Sequence, residues 1–552
     1  MRLLGAVPGQ DGSTAFRVWA PKAGSIAVAT GGSCFELIAG GAGLFEGRVP
    51  VGVGADYEYV LDRRERRPDP CSRCQPYGLR GCSRVLDPAA LLARADGWHG
   101  VSLGDLVICE LHVGTFSPSG GFDGVIARLA ELRELGVTAI ELMPVATYAG
   151  ARGWGYDGVY AYAPHDAYGG PEGLARLIDA AHASDLGVIL DVVYNHFGAG
   201  SEAIEAFGPY FGPYLTRGRA TIWGQTIDYL QPAVREWAIQ NAEMWVRDYG
   251  VDGLRLDAVH AIVDQSDPHV MAEPAARVKA INPAALVISE VEIGDLRPIE
   301  HWGHDAQWGD ALHHAVHVLL TGEHEGYYGR YGKVADVARE LQRTEGRRLV
   351  VCAQNHDQVG NRAFGDRLRG RDLRLAAFCS MLSPGTPLLF AGEEYDESHP
   401  FQYFTDHIDP GIARQTREGR RNEFSKFSQF SAAEIPDPQD PATFARSKLE
   451  RPAGDPGHLA YYKHLLALRR ALPDGPAEIL EVDEQRRLLR FRRGELEFVA
   501  NFSQIEQDGV PPRDGVVRPA ADEVRPRNGS HRAAIPLRAA RPVRDWWQAG
   551  RP

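Results

Sequence analysis

No run of about 18 apolar residues occurs anywhere in the 552 residues, so the sequence offers no transmembrane helix. The opening stretch from Met1 to Gly9 is too short in its apolar part for a secretory signal peptide, and a cytoplasmic location is expected. Cysteine is scarce and odd in number: seven, at 34, 71, 74, 82, 109, 352 and 379, several inside apolar runs, which reads as reduced thiols. Cys71, Cys74 and Cys82 leave three zinc ligands or a redox pair as alternatives, but a CxxC without a second pair or a matching histidine is a weak signal. Positive charge is in deficit, with 60 Lys and Arg against 73 Asp and Glu and a net charge of −13. That argues against a general nucleic-acid binder, which needs a basic face to replace counterions, and a neutral polar substrate such as a sugar fits better. HExxH and compact His/Asp clusters at ligand spacing are also absent, which argues against metal-dependent hydrolysis.

What is present is ordinary for a large globular enzyme, 44% apolar and 24% charged residues. Residues 1–87 alternate in short strand-like runs, such as Thr14 to Trp19 and Tyr57 to Leu61, between Gly and Asp breaks, which predicts a β-sandwich. Residues 88–104 read as a linker that starts with a short helix at Pro88 to Asp96. From Asp105 the pattern changes to strand then helix, repeated. Leu106 to Leu111, Val137 to Met143, Gly187 to Val193, Gly253 to Asp257 and Leu286 to Ser289 are apolar runs of the kind buried on both faces of a parallel sheet. Three more follow near Asp305 to Trp308, Arg348 to Ala353 and Thr386 to Ala391. Eight strands, each followed by a helix, predict a catalytic (β/α)8 TIM barrel over residues 105–474. An open doubly wound sheet would need a glycine-rich phosphate turn after its first strand, and Glu110 to Gly114 is not one. Residues 475–552 return to strands and turns, a small C-terminal β domain.

The polar residues at the strand ends carry the chemistry. Glu110 and His112, Glu141, Asp191 with Asn195 and His196, Arg255 and Asp257, Glu290, His356 and Asp357, and Glu393 and Glu394 all stand at or just after an apolar run. In a barrel those ends converge on one face. Arg255 and Asp257, two apart on a strand, share a face, and the arginine favours an ionised Asp257. Read alone, that pair is better explained as a structural ion pair than as a site. With Glu290 and Asp357 it supplies the carboxylates of glycoside hydrolysis, one to attack, one to protonate the leaving oxygen and one to stabilise the transition state. Asp191 is equally readable as a buried hydrogen-bonded residue or a substrate contact, while His112 and His196 taken singly read as satisfied core histidines. Asn195, His196, His260 and His356 are candidate substrate donors. Aromatic residues in the loops after the strands, among them Trp154, Tyr156, Tyr160, Tyr162, Phe207 to Phe211, Trp223, Trp302, Trp308, Tyr327 and Phe401 to Phe404, offer flat faces for pyranose rings.

Four motifs resemble those of the α-amylase superfamily of retaining glycoside hydrolases: Asp191-Val-Val-Tyr-Asn-His196, Gly253-Leu-Arg-Leu-Asp257, Ser289-Glu290 and Asn355-His-Asp-Gln358. The resemblance implies that Asp257 is the nucleophile, Glu290 the general acid/base and Asp357 the transition-state stabiliser. It implies that Arg255, His196 and His356 are substrate or carboxylate partners and that Tyr156 stacks under the reacting glucose. Within the superfamily, the stretches around Glu110 to Phe116, Arg152 to Val159, Leu320 to Glu323 with Gly326 to Tyr328, and Phe404 to His407 are similar to the branch that releases trehalose from maltooligosyltrehalose. That adds Glu323 and Tyr327 to the substrate-binding candidates and implies functional pairing with a maltooligosyltrehalose synthase; no organic cofactor is expected, since the implied reaction transfers no electrons, and although some superfamily members hold calcium the sequence shows no compelling metal site.

Two loops depart from that branch: Gly198 to Glu202, where a Gly-Pro-x-Gly-Asn type loop is expected, and Thr221 to Gly224, where Thr-Pro-Trp-Gly is expected. Glu290 and Glu292 would share a face if the strand ran on, so spacing does not choose the acid; Glu290 is preferred because it directly follows the apolar run. The alternative activity is that of a 1,4-α-glucan branching enzyme or related α-glucan transferase. A non-catalytic glucan-binding scaffold would lack a catalytic carboxylate, and none is missing here.

Overall fold

The computed structural model describes residues 3–91, 97–210, 225–425, 435–451 and 456–520. Its central feature is a closed barrel of eight strands, β1 (Ile108–Leu111), β2 (Ala139–Leu142), β3 (Gly187–Val192), β4 (Gly253–Leu256), β5 (Leu286–Ser289), β6 (Ala306–Trp308), β7 (Leu349–Cys352) and β8 (Thr386–Phe390), in that order. The pairs β1/β2, β2/β3, β3/β4, β4/β5, β5/β6 and β7/β8 are parallel. The expected barrel is thus the fold. Every residue of these strands is buried, as expected for a parallel barrel covered on both faces. Register fixes the chemistry on the axis: Glu110 pairs with Glu141, and Asp191 with Arg255.

The chain divides into two compact units, residues 1–308 with 356–366 and 399–450, and residues 309–355 and 367–398 with 451–552. The first holds β1 to β6 and two antiparallel sheets near the N-terminus. One sheet runs in the order Gly5–Pro8, Thr14–Trp19, Leu44–Val49, Ile38–Gly41; the other in the order Ser33–Glu36, Ile26–Thr30, Asp56–Leu61, Glu65–Arg67, with Ser83–Arg84 also on Asp56–Leu61. Alternation along Thr14–Trp19 turns Phe16 inward, and its ring meets Tyr57 of the other sheet edge-on at 4.9 Å. The two sheets therefore close a sandwich core.

Most helices follow the apolar stripes, with local departures. The stripe from Val125 to Leu135 folds as two helices, Phe122–Ile126 and Leu129–Leu135, and ends at Gly136, whose φ of 111° requires glycine. The long helix before β4 runs Pro232–Met244 and widens into a π-helical turn at Trp245–Tyr249. The linking helix at 88–96 is only a 3-10 turn, Pro88–Ala90, as far as the described residues go. Cys71 and Cys74 are buried thiols held protonated: burial pushes Cys71 well up and Cys74 up to about 12.

The second unit contains β7, β8 and a four-stranded antiparallel meander, Glu478–Asp483, Leu488–Arg493, Leu496–Asn501 and Asp514–Pro519, around Leu488, Val499, Val510 and Val516. Of the region 475–552, residues 521–552 lie outside the described residues. Among the described residues no helix is long and apolar enough to cross a membrane.

Candidate active site

The site is built around Arg255 on β4. Two residues after Gly253 in an extended strand, its side chain enters the axis and is 1% exposed, so its charge needs partners. Three carboxyl groups supply them. Nη1 donates to both oxygens of Asp191 (2.9 and 2.8 Å) and to Oδ1 of Asp257 (2.7 Å), and Nη2 donates to Oε2 of Glu290 (2.7 Å). One planar guanidinium thus holds the end of β3, the end of β4 and the end of β5 in a single fork.

Asp257 and Glu290 share that arginine but not their charge state. Burial alone would raise the Asp257 carboxyl, yet Arg255 and the Asn195 amide, which donates to Oδ2 at 2.7 Å, hold it below its ordinary value. Burial raises Glu290 to about 8, with Asp257 and Asp357 adding to the rise and Arg255 opposing it. Near neutral pH one carboxyl is a carboxylate and its neighbour a carboxylic acid, the division of labour that acid/base chemistry requires.

The turn just after Asp257 is strained. Ala258 follows Asp257 with φ 40° and ψ 50°, a left-handed conformation that costs an L-residue of this kind roughly 1 kcal/mol or more. Its N–H then donates to Glu290 Oε2 at 3.0 Å. Glu292, the rival acid, is exposed two residues on. The structure thereby separates the two glutamates that spacing left equivalent.

A second charged group stands across the site. Glu110 of β1 accepts from the backbone N–H of His356 at 2.7 Å and pairs with its Nδ1 at 2.5 Å. Burial would lower His356, but Glu110 dominates and raises it to about 9, so the ring is an imidazolium. Its Nε2 lies 2.9 Å from the Tyr156 hydroxyl, which donates to Asp191 Oδ2 at 2.6 Å. Asp357, next to His356 on the short helix His356–Gly360, is half-buried and accepts from the Asn361 amide at 2.5 Å. That helix packs so tightly on Trp154 that a Cβ at Gly360 would lie 2.1 Å from the indole ring.

Asp257, Glu290, Tyr156, Asp191, Asn195, His196, Arg255, His356 and Asp357 are joined by these contacts or by adjacency, and all lie in the first unit. His196 is buried, bonded through Nδ1 to the Asn195 side chain, and lowered by burial. His260 is half-exposed on the turn Val259–Ala261, and its Nδ1 makes no hydrogen bond. Glu323 and Tyr327 belong to the second unit, where Glu323 bonds His317 at 2.9 Å and the Tyr327 ring, 53% exposed, lies 4.8 Å from His314. Trp223 and the loop Thr221 to Gly224 lie outside the described residues. The loop at Gly198 packs on the turn after Tyr156: a Cβ at Gly198 would lie 2.0 Å from the Asp157 carbonyl oxygen.

Several aromatic rings offered as sugar platforms are instead core. Tyr160, Tyr162, Phe207, Tyr210, Phe401 and Phe404 are at most 1% exposed: Tyr160 and Tyr162 lie in the strand Tyr160–Pro164, Phe207 and Tyr210 meet Tyr59 and Trp19 of the N-terminal sheets edge-on, and Phe401 stacks on Trp154 and meets Phe404. His112 is a satisfied core histidine, bonded to Thr115 and to the Gly153 carbonyl, and burial lowers it to about 4. Glu141, by contrast, is more than a strand-end residue. It is fully buried with neither oxygen hydrogen-bonded, and burial, then Glu110, push it far above the carboxylate range, so it is a neutral acid on the barrel axis.

A barrel whose strand ends bring a carboxylate and a raised carboxylic acid onto one arginine holds the pair of groups that glycoside hydrolysis requires. The comparisons with known proteins agree. The family described as "Alpha amylase, catalytic domain" matches residues 93–207 and 221–471. A malto-oligosyltrehalose trehalohydrolase of Arthrobacter ramosus is 42% identical over 91% of this chain and 95% of its own. One from Rhizobium sp. (strain M-11) is 40% identical over 89% and 91%. A crystal structure of an alpha-amylase-type protein from Salmonella typhimurium matches with a TM-score of 0.87 at 34% identity, covering 94% of this chain and 100% of that one. The chain belongs to the alpha-amylase family and, within it, to the malto-oligosyltrehalose trehalohydrolase family.

Proposed function

We propose that the protein hydrolyses the α-1,4 bond next to the terminal trehalosyl unit of maltooligosyltrehalose, releasing trehalose and a maltooligosaccharide, with Asp257 as nucleophile, Glu290 as acid/base and Asp357 as transition-state stabiliser. The observation that carries the residue roles is the opposite protonation of Asp257 and Glu290 on one guanidinium. The substrate follows from the names of the relatives.

In the first step Asp257 attacks the anomeric carbon of the glucose on the non-trehalose side, while Glu290 gives its proton to the departing trehalose oxygen. A covalent glycosyl-aspartate results. Glu290, now a carboxylate, takes a proton from water, which attacks the same carbon and restores the α configuration. Asp357 accepts hydrogen bonds from the ring hydroxyls that tighten as the oxocarbenium-like state forms, and Arg255 keeps Asp257 ionised throughout. Asp191, Asn195, His196, His260, His356, Tyr156, Trp223, Glu323 and Tyr327 are the proposed substrate-binding set. The reading extends to a cytoplasmic location, to functional pairing with a maltooligosyltrehalose synthase, and to domain limits at 87, 104 and 474. Incubation with maltooligosyltrehalose and, separately, with amylose tests it: free trehalose from the first supports the reading, and new α-1,6 branches in the second without trehalose from the first would establish the transferase instead.

A further inference from the structure

We propose that Trp308 is a positioning residue for this reaction, its indole face carrying the Arg255 guanidinium that grips Asp257 and Glu290. The inference rests on the roles assigned above to those two carboxyl groups. Trp308 ends β6, one step beyond the Ser289/Gln307 register pair that joins β5 to β6, which sets its backbone beside that of Glu290. The Arg255 guanidinium carbon lies 4.2 Å from the Trp308 ring centroid, against 5.9 Å from that of Tyr156. The His356 ring lies 5.8 Å from the same indole at 55°. Both cations of the site therefore adjoin one aromatic ring.

The ring is 5% exposed, so it is placed to support the arginine and not to stack on a sugar. Its Nε1–H has no hydrogen-bond partner, an uncommon state for a buried indole and one that calls for a reason. Phenylalanine would fill much of the space without the orphaned donor. What tryptophan adds is the strongest π face for a desolvated cation. Asp191, Asp257 and Glu290 fix the guanidinium at its edge, and Tyr156, Glu141 and His356 are the other titratable groups whose charges bear on it or on its partners. The edge contacts set the position of the guanidinium, and the indole beneath adds a face contact that resists tilting of its plane.

Trp308→Leu keeps apolar bulk and removes the face. The expected result is a fall in kcat of about 30-fold, or about 2 kcal/mol at about 1.36 kcal/mol per tenfold, with KM little changed. Both limbs of the kcat/KM pH profile should move to higher pH, because a loosened guanidinium holds down neither Asp257 nor Glu290 as well. Trp308→Phe should recover most of kcat and return the limbs most of the way. Limbs that stay put in Trp308→Leu overturn the proposal, whether or not kcat or thermal stability falls, and a rise in KM alone assigns the ring to substrate binding. If Trp308→Leu does not fold, Trp308→Met decides by the same readouts. A wild-type protein inactive on maltooligosyltrehalose refutes the proposed function; an active wild type with unmoved variant profiles refutes only the role of Trp308.

Discussion

The environment of Glu290 makes a quantitative demand on the pH dependence of the reaction. Burial, with Asp257 and Asp357 nearby, raises its carboxyl from 4.5 to about 8 against the pull of Arg255. An acid at about 8 is about nine-tenths protonated at pH 7, whereas one at about 4.5 would be about 0.3% protonated, a difference of roughly 300-fold in competent enzyme. The kcat/KM profile should therefore hold to pH 7, fall to half near pH 8 and drop about tenfold per unit beyond. Glu290→Gln removes the proposed proton donor, and a loss of about 10²- to 10⁴-fold is expected, with the alkaline limb gone. A maltooligosyl fluoride, whose leaving group needs little protonation, should recover much of the first step in that variant. Initial rates from pH 5 to 10 on both substrates are the assay. An alkaline limb near pH 5, a limb that survives in Glu290→Gln, or a collapse of activity in Glu292→Gln instead would refute the reasoning.

Other perturbations separate the remaining roles. Asp257→Ala should abolish turnover while thermal unfolding shows a folded protein; measurable activity would remove Asp257 as nucleophile. Glu110→Gln should leave His356 neutral at pH 7 and lower stability by about 3 kcal/mol, the scale of a broken buried ion pair. Because Glu110 raises His356 from 6.5 to about 9, the contribution of this pair is fully present below pH 6.5 and lost as pH rises through about 9. The Tm gap between wild type and Glu110→Gln should accordingly be wide at pH 6 and narrow at pH 9.5, and a gap that widens with pH would contradict the charged pair.

Much of the barrel was legible because a strand buried on both faces must be a continuous apolar run, and seven of the eight runs are plain; the sixth, Ala306–Trp308, is three residues long and is the least secure of them. Asp191, Arg255 and Asp257 were legible for the same reason, as charges inside such runs. Glu290 is preferred to Glu292 because it directly follows the apolar run, but the backbone N–H that Ala258 gives it was not legible, since it depends on a left-handed turn of which alanine gives no sign in a sequence. The neutral Glu141 was visible as a strand residue, but its lack of partners depends on which side chains fill the axis. Aromatic composition suggested sugar contacts and could not tell a platform from a packing ring, because Phe401 and Phe404 cover core as any loop aromatic does. Trp308 belonged to the same undifferentiated set until the arginine above it was placed.

A proton NMR time course on maltotriosyltrehalose tests the central claim most directly, since it reports product identity and stereochemistry together. The account predicts that trehalose signals appear in step with maltotriose whose new reducing end is first seen as the α anomer. A β anomer formed first, or consumption of substrate without free trehalose, would contradict it.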